Sequence, residues 1–290
     1  MMRILLFLAT NAAILVVVSV IFNVLGLKST LDAEGININL DSLLVMSAII
    51  GMSGSFISLL MSKWTAKRAM RVQVIDHPQN QTEQWLLDIV ARQAQQVGIK
   101  MPEVGIFDAP EVNAFATGMS KDSALVAVST GLLNSMNADE VEAVVGHEMT
   151  HVANGDMVTM ALMQGVVNTF VYFFATLVGH FVDRVVFKTE RGYGPAYYIV
   201  QMVTQVALGF LASLLVMWFS RYREFKADKG GAGLAGRDKM IAALQALQRG
   251  QSAELPGQLA AFGICGGGFN KLLMSHPPLE DRIAALQTVS

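Results

Sequence analysis

The five residues His147-Glu148-Met149-Thr150-His151 carry the clearest chemistry in the chain. An H-E-x-x-H pattern on a helix puts two imidazoles four residues apart on one face, where their ring nitrogens can reach a single zinc ion at about 2.0 to 2.1 Å. Glu148 is then placed to take a proton from the water that such a metal activates and to pass it to a leaving amine, which is the chemistry of peptide hydrolysis. With five His and eleven Glu among 290 residues, chance supplies this pattern in roughly 0.003 of chains of the same composition. Coincidence is a poor account of it, and the structural context has to decide.

A hydrolytic zinc site needs a third protein ligand and one position left open. The segment Arg221-Tyr222-Arg223-Glu224-Phe225-Lys226-Ala227-Asp228 offers Glu224 as that ligand. Asp228 follows four residues on, as an acceptor for an imidazole N–H. On composition alone the same segment reads equally well as a solvated helix face with ordinary i, i+4 charge pairs.

These residues must be positioned by a chain that is 53% hydrophobic and only 15% charged, with a mean hydropathy of +0.45. Soluble domains carry roughly 25% charged residues, so continuous apolar runs are expected. Four are visible: Ile4 to Leu27, Leu40 to Met61, Met157 to Val182 and Ala196 to Phe219. Each is long enough for about 30 Å of hydrocarbon. The apolar core of the first exceeds that of a signal peptide and no A-x-A site follows, so it reads as a retained anchor. Lys63, Lys67, Arg68 and Arg71 follow the second run, and Arg221, Arg223, Lys226 and Lys229 follow the fourth. This bias predicts that the N-terminus and both polar segments face the cytoplasm, although Arg184, Lys188 and Arg191 on the opposite side run against it. A net charge of -2 gives no reason to expect a nucleic-acid partner. The single Cys265 excludes an intramolecular disulfide. Gly51 with Ser55, and Gly209 with Ser213, have the spacing that lets membrane helices approach closely.

The expected organisation is mainly α with a small β-sheet. Residues 1–62 hold two transmembrane helices, 63–156 a segment with the zinc-binding helix, 157–219 two more transmembrane helices, and 220–290 a segment with the third ligand. Neither polar segment is large, so the two are expected to share one core. Within them the patterns predict a helix over Thr82 to Val97 and strands at Glu103 to Phe107, Asn113 to Thr117 and Ala124 to Val128. A further helix, capped by Asn137 or Asp139, carries the motif and weakens at Asn154-Gly155-Asp156. The tail holds helices near Lys239 to Arg249 and Leu279 to Leu286, with a Gly-rich stretch at Gly263 to Gly268 between them. His180 reads as an interfacial histidine and His77 as a linker residue.

Taken together, His147 to His151, Asn113-Ala114-Phe115-Ala116-Thr117-Gly118, Arg223 to Asp228 and Ser275-His276-Pro277-Pro278 resemble the HtpX family of bacterial membrane-embedded zinc metalloproteases, related to the CAAX-processing zinc proteases. The likeness covers nearly the whole chain. It implies a gluzincin-like domain on the cytoplasmic side of the inner membrane and one Zn²⁺ per chain on His147, His151 and Glu224. It also implies a role in quality control of membrane proteins, with membrane-embedded or unfolded polypeptides as substrates. It further suggests that Asn113, Ala114, Phe115 and Ala116 form a strand edge to which an extended substrate pairs, and that His276 donates to the oxyanion of the transition state. His276 beside two prolines reads equally as a structural turn.

Two other functions compete. A membrane metal transporter needs ionisable ligands inside its spans, and the four apolar runs hold no acidic residue or Lys in their interiors. An inactive protease-like scaffold is disfavoured by the intact Glu148.

Overall fold

The computed structural model describes residue 20 and residues 39–189, 192–253 and 276–288. The expected first span apart from Val20, the Gly-rich stretch and Cys265 lie outside the described residues. In chain order the elements are α1 (Leu40–Ala69), β1 (Gln73–Val74), α2 (Gln81–Val97), β2 (Glu103–Phe107), β3 (Ala114–Gly118), β4 (Ala124–Ser129), α3 (Thr130–Ser135), α4 (Ala138–Asn154), α5 (Asp156–Phe181) followed by a π-helical turn at Val182–Val186, α6 (Pro195–Ala235), α7 (Arg237–Ala253) and α8 (Leu279–Thr288). The chain is mostly helical with one small mixed sheet, and its contacts divide it into two units. One comprises the described residues up to Ile57 with Ala161–Val216, the other Ser58–Met160 with the described residues from Met217 onward.

Three helices among the described residues, α1, α5 and α6, are long and apolar enough to cross a membrane. They contain the second, third and fourth apolar runs. At 41 residues, α6 is about 60 Å long, twice the thickness of the hydrocarbon core. Its residues from Ser220 onward therefore extend past the apolar stretch as a charged helix.

In the first unit α1 and α5 meet through small residues. A Cβ on Gly51 would fall 2.4 Å from the backbone nitrogen of Thr169, and one on Gly165 would fall 2.6 Å from Met52 Sδ and 2.9 Å from Ser55 Oγ. Gly51 cannot take a larger side chain without the helices separating, whereas at Gly165 the Met52 and Ser55 side chains would have to give way. Gly51 and Ser55 thus stand at a helix contact as expected. Gly209 has nothing within 4 Å among the described residues, so no such contact forms at its face there.

The second unit is built on a sheet of order β1-β2-β4-β3. β2 and β4 run parallel, with Glu103 opposite Leu125, and β3 runs antiparallel to β4, with Ala114 opposite Val128. All six residues of β4 are buried, as a central strand covered on both faces requires. The sequence indicated three strands. The fourth, β1, is two residues long and pairs only Gln73 and Val74 with β2, too short to give a period-2 signal. β3 begins at Ala114, with Asn113 just before it tied to the end of β4: Asn113 N–H donates to Ser129 Oγ at 3.0 Å, and Ser129 N–H donates to Asn113 O at 2.9 Å.

Against this sheet α4 packs with α2 and α7, and Leu86, Val90, Val126, Val145, Met149 and Leu244 are among the fully buried core. Local chemistry fixes both ends of α4. Asn137 accepts from Glu140 N–H at 3.0 Å while Glu140 accepts from Asn137 N–H at 2.9 Å, a reciprocal capping box. At the other end Gly155 adopts φ 63°, and its N–H closes onto the His151 and Val152 carbonyls. A left-handed glycine of this kind stops a helix sharply, so α5 starts afresh at Asp156.

Candidate metal centre and active site

α4 presents His147 and His151 one turn apart, and the charged half of α6 brings Glu224 to them. His147 Nε2 and His151 Nε2 face each other at 3.2 Å, and Glu224 lies 3.4 Å from the first and 3.3 Å from the second. Among the described residues these three form a group whose ligand atoms all lie within 4.8 Å of one another. Ligand atoms held about 2.0 to 2.1 Å from a tetrahedral metal stand about 3.3 Å apart, so the donor set fits one zinc-sized ion. All three side chains are buried.

The imidazoles are oriented from behind. His147 Nδ1 lies 2.9 Å from Asp228 Oδ1 and His151 Nδ1 lies 2.7 Å from Asp156 Oδ2. A carboxylate at Nδ1 fixes that nitrogen as the protonated donor and leaves Nε2 as the lone-pair ligand. The carboxylates are held in turn. Arg282, on α8 and itself buried, donates Nε to Asp228 Oδ2 at 2.7 Å and Nη2 to Asp228 Oδ1 at 2.5 Å, a two-pronged pair. Arg223 holds Asp156 by its backbone, Nη1 donating to the main-chain carbonyl at 3.2 Å, and its Nε stands 3.5 Å from Asp156 Oδ2.

Close backbone approach makes this possible. A Cβ on Gly231 would lie 2.9 Å from the backbone nitrogen of His147, and one on Gly230 would lie 2.3 Å from Thr150 Cγ2. A side chain at either position would push α6 away from α4 and carry Glu224 off the imidazoles.

The charges in the cluster hold one another in place. Burial alone would lower His147, but its hydrogen bonds to Asp228 and Glu224 and the charge of Glu148 prevail and raise it to about 9. Burial likewise opposes the charged form of His151, yet Asp156 and Glu224 leave it raised. Glu224 and Asp228 are both driven below the usual carboxylate range: burial would raise them, but the imidazoles and, for Asp228, Arg282 outweigh it. Glu148 moves the other way, because burial dominates its environment. A carboxylate raised in this manner is a better proton acceptor than a free one. It is half-buried, and the backbone of Ala116 hydrogen-bonds to it.

That contact ties the base to β3, which lies at the edge of the sheet. Ala114, Phe115 and Ala116 are half-buried and Asn113 is exposed. His276 also arrives here: its Nδ1 lies 2.8 Å from Glu224 Oε2, with the side chain 62% exposed. The structure therefore brings together His147, Glu148, His151, Glu224, Asp228, His276 and the β3 edge. His180 belongs instead to a ring cluster with Tyr193 and Tyr197.

Sequence reasoning assigns no site role to Asp156, Arg223 or Arg282, although Arg223 stands in the basic cluster after the fourth run and in the stretch that carries the resemblance. Asp156 had been read only as part of a helix-weakening Asn-Gly-Asp. In fact the glycine stop between α4 and α5 is what turns the Asp156 side chain back onto His151. Arg282 had a signal, an arginine inside an otherwise apolar helix face between Leu279 and Leu286, which calls for a buried acid as partner.

Residues 80–290 match the model of peptidase family M48. The chain belongs to peptidase family M48. Its relatives in the family include Protease HtpX of Thioalkalivibrio sulfidiphilus, 62% identical with 100% of this chain and 99% of that protein covered. Protease HtpX of Nitrosococcus oceani is 60% identical with 98% of each covered. Among solved structures, Ste24p of S. mikatae superposes with a TM-score of 0.61 at 18% identity, covering 93% of this chain and 66% of that one. That likeness is one of fold. As an M48 member the chain is a membrane metalloprotease, and His147, His151 and Glu224 form a group able to hold the metal the family requires.

Proposed function

We propose that the chain is a zinc-dependent endopeptidase of the bacterial inner membrane, spanning it four times, that cleaves misfolded or damaged membrane proteins at a gluzincin-like site open to the cytoplasm. The observation that carries this reading is the mutual spacing of His147, His151 and Glu224 at 3.2 to 3.4 Å, each imidazole backed by its own carboxylate. Two imidazoles and one carboxylate suit zinc better than a hard cation. A zinc ion held there would lower the pKa of a bound water toward about 7 and polarise the scissile carbonyl.

The remaining steps belong to the chain. An extended substrate segment pairs with the outer edge of β3, at Asn113, Ala114, Phe115 and Ala116, through main-chain hydrogen bonds. Such pairing tolerates many sequences, as the clearing of damaged proteins demands. Glu148, steered by Ala116, accepts the proton of the attacking water and delivers it to the leaving amine. His276, exposed beside Glu224, donates to the oxyanion. Asp228 and Asp156 hold the two imidazoles, and Arg282 keeps Asp228 ionised.

The reading is tested with purified full-length protein and an unfolded membrane-protein substrate. Chelation should stop cleavage, and about one equivalent of zinc per chain should restore it. Cleavage that survives thorough chelation would refute a metal-dependent mechanism. The orientation is tested separately. In a Cys265→Ser background, cysteines placed at Ser120 and Gly250 should resist a membrane-impermeant thiol reagent in intact cells and react after lysis. Labelling from outside would overturn the cytoplasmic assignment.

A further inference from the structure

The first unit holds a cavity of about 900 Å³ at the ends of α1, α5 and α6. It is bounded by the N-terminal turn of α1, the C-terminal end of α5 and the start of α6, and it shares no residue with the metal cluster. Its lining is unlike a packing defect between membrane helices. It includes four tyrosines, Tyr172, Tyr193, Tyr197 and Tyr198, together with His180 and Arg184, and among the described residues no carboxylate lines it. Tyr197 is buried, whereas Tyr193 and Tyr198 are more than half exposed at the rim. The rings are ordered: His180 stands 4.8 Å from Tyr197 and 5.0 Å from Tyr193, and the two tyrosines are 4.5 Å apart.

The cation in this wall is built in place. The π-helical turn at Val182–Val186 carries Asp183 and Arg184. Asp183 is buried and accepts from Gly194 N–H at 3.0 Å and from Thr189 Oγ1 at 3.1 Å. Arg184 donates Nη1 to the Thr189 carbonyl at 2.6 Å and Nη2 to the Gly192 carbonyl at 3.2 Å. Those bonds pin the guanidinium to the loop and, among the described residues, use two of its five N–H groups.

We infer that this cavity binds the phosphodiester headgroup of an anionic phospholipid of the phosphatidylglycerol type. A guanidinium with free N–H groups recognises phosphate oxygens with directional, charge-assisted bonds. Tyrosine hydroxyls supply further donors, and tyrosine is the residue that settles at the membrane–water boundary. The fixed positive charge also argues against a quaternary ammonium group, which the aromatic faces alone would otherwise accept. The volume lies within the range of small-molecule pockets, room for a headgroup with its glycerol backbone. This inference goes beyond the protease reading and does not depend on it.

The test uses full-length protein in detergent, examined by native mass spectrometry after incubation with phosphatidylglycerol, phosphatidylcholine or glycerol 3-phosphate. Wild type should retain phosphatidylglycerol in preference to phosphatidylcholine. Arg184→Gln should reduce that retention about tenfold, the value of one charge-assisted contact, and Arg184→Lys should restore part of it. Because Arg184 also braces its loop, Ser42→Trp serves as a second variant. Ser42 lines the cavity and is exposed on the opposite wall, so tryptophan there should block the lipid with the Arg184 loop untouched. Lys188→Gln, a change of the same charge outside the lining, should leave retention as in wild type. Equal retention of both lipids, or retention unaltered in both Arg184→Gln and Ser42→Trp, would overturn the inference. Binding of glycerol 3-phosphate without the lipid would overturn the lipid as its source.

Discussion

Glu148→Gln is expected to abolish peptide hydrolysis while leaving the metal bound and the chain folded. The amide has nearly the shape of the carboxylate and can still accept the Ala116 backbone hydrogen bond that holds Glu148 against β3. It cannot accept a proton. Loss of the general base alone accounts for about 10² to 10⁴ in rate. Glu148 stands outside the group His147, His151 and Glu224, so zinc content should match wild type. The measurement is turnover of an unfolded substrate by both proteins, with zinc determined on the same samples. Autolysis gives an internal readout, since the Gln form should stay full length during storage in detergent. Cleavage by the Gln protein at the wild-type rate, with contaminating protease excluded by a chelator control, would sink the mechanism. A scaffold without activity would show no difference because neither form would cut.

How much of this centre was legible in the sequence follows from how local each signal is. His147 and His151 are four residues apart on one helix, and the capping box at Asn137 and the glycine stop at Gly155 lie within that same helix. Helix, motif and both ends could therefore be read from one short stretch. Glu224 was legible only as one of two readings, because its meaning depends on a contact between residues 73 positions apart from its nearer imidazole partner. The Asp228 role had the same standing. Arg282 is farther still, 135 residues from His147, and its task exists only once α8 packs against α7 and its guanidinium reaches Asp228. The close approach through Gly230 and Gly231 was invisible for the same reason, since two adjacent glycines inside a helix look like a weakness until the neighbouring backbone is known. β1 was missed through brevity. The apolar runs of the second, third and fourth spans could be read directly, because crossing a bilayer demands a length of apolar chain that needs no partner.

Glu224→Ala should lose the metal. In wild type the three ligands converge from two helices, and the carboxylate is the only contribution of α6 to that group. Its removal leaves two imidazoles, too few for a stable tetrahedral site. It also leaves Arg282, which lies 3.7 Å from Glu224 Oε2, and His276, at 2.8 Å, without that negative charge. The site thus loses a ligand and keeps the Arg282 guanidinium, which repels a divalent ion. The expected affinity loss exceeds the roughly 10- to 100-fold typical of disrupting a residue that merely orients a ligand. Asp228→Asn supplies that smaller effect for comparison, since it perturbs the His147 Nδ1 contact and the Arg282 pair while all three ligands remain. Competition with a fluorescent zinc chelator should therefore rank the proteins with wild type tightest, Asp228→Asn intermediate and Glu224→Ala weakest. Glu280→Ala, an exposed acid on α8 outside the cluster, should behave as wild type. Full zinc stoichiometry and unchanged affinity in folded Glu224→Ala protein would remove Glu224 from the ligand set and leave the third position to be sought elsewhere.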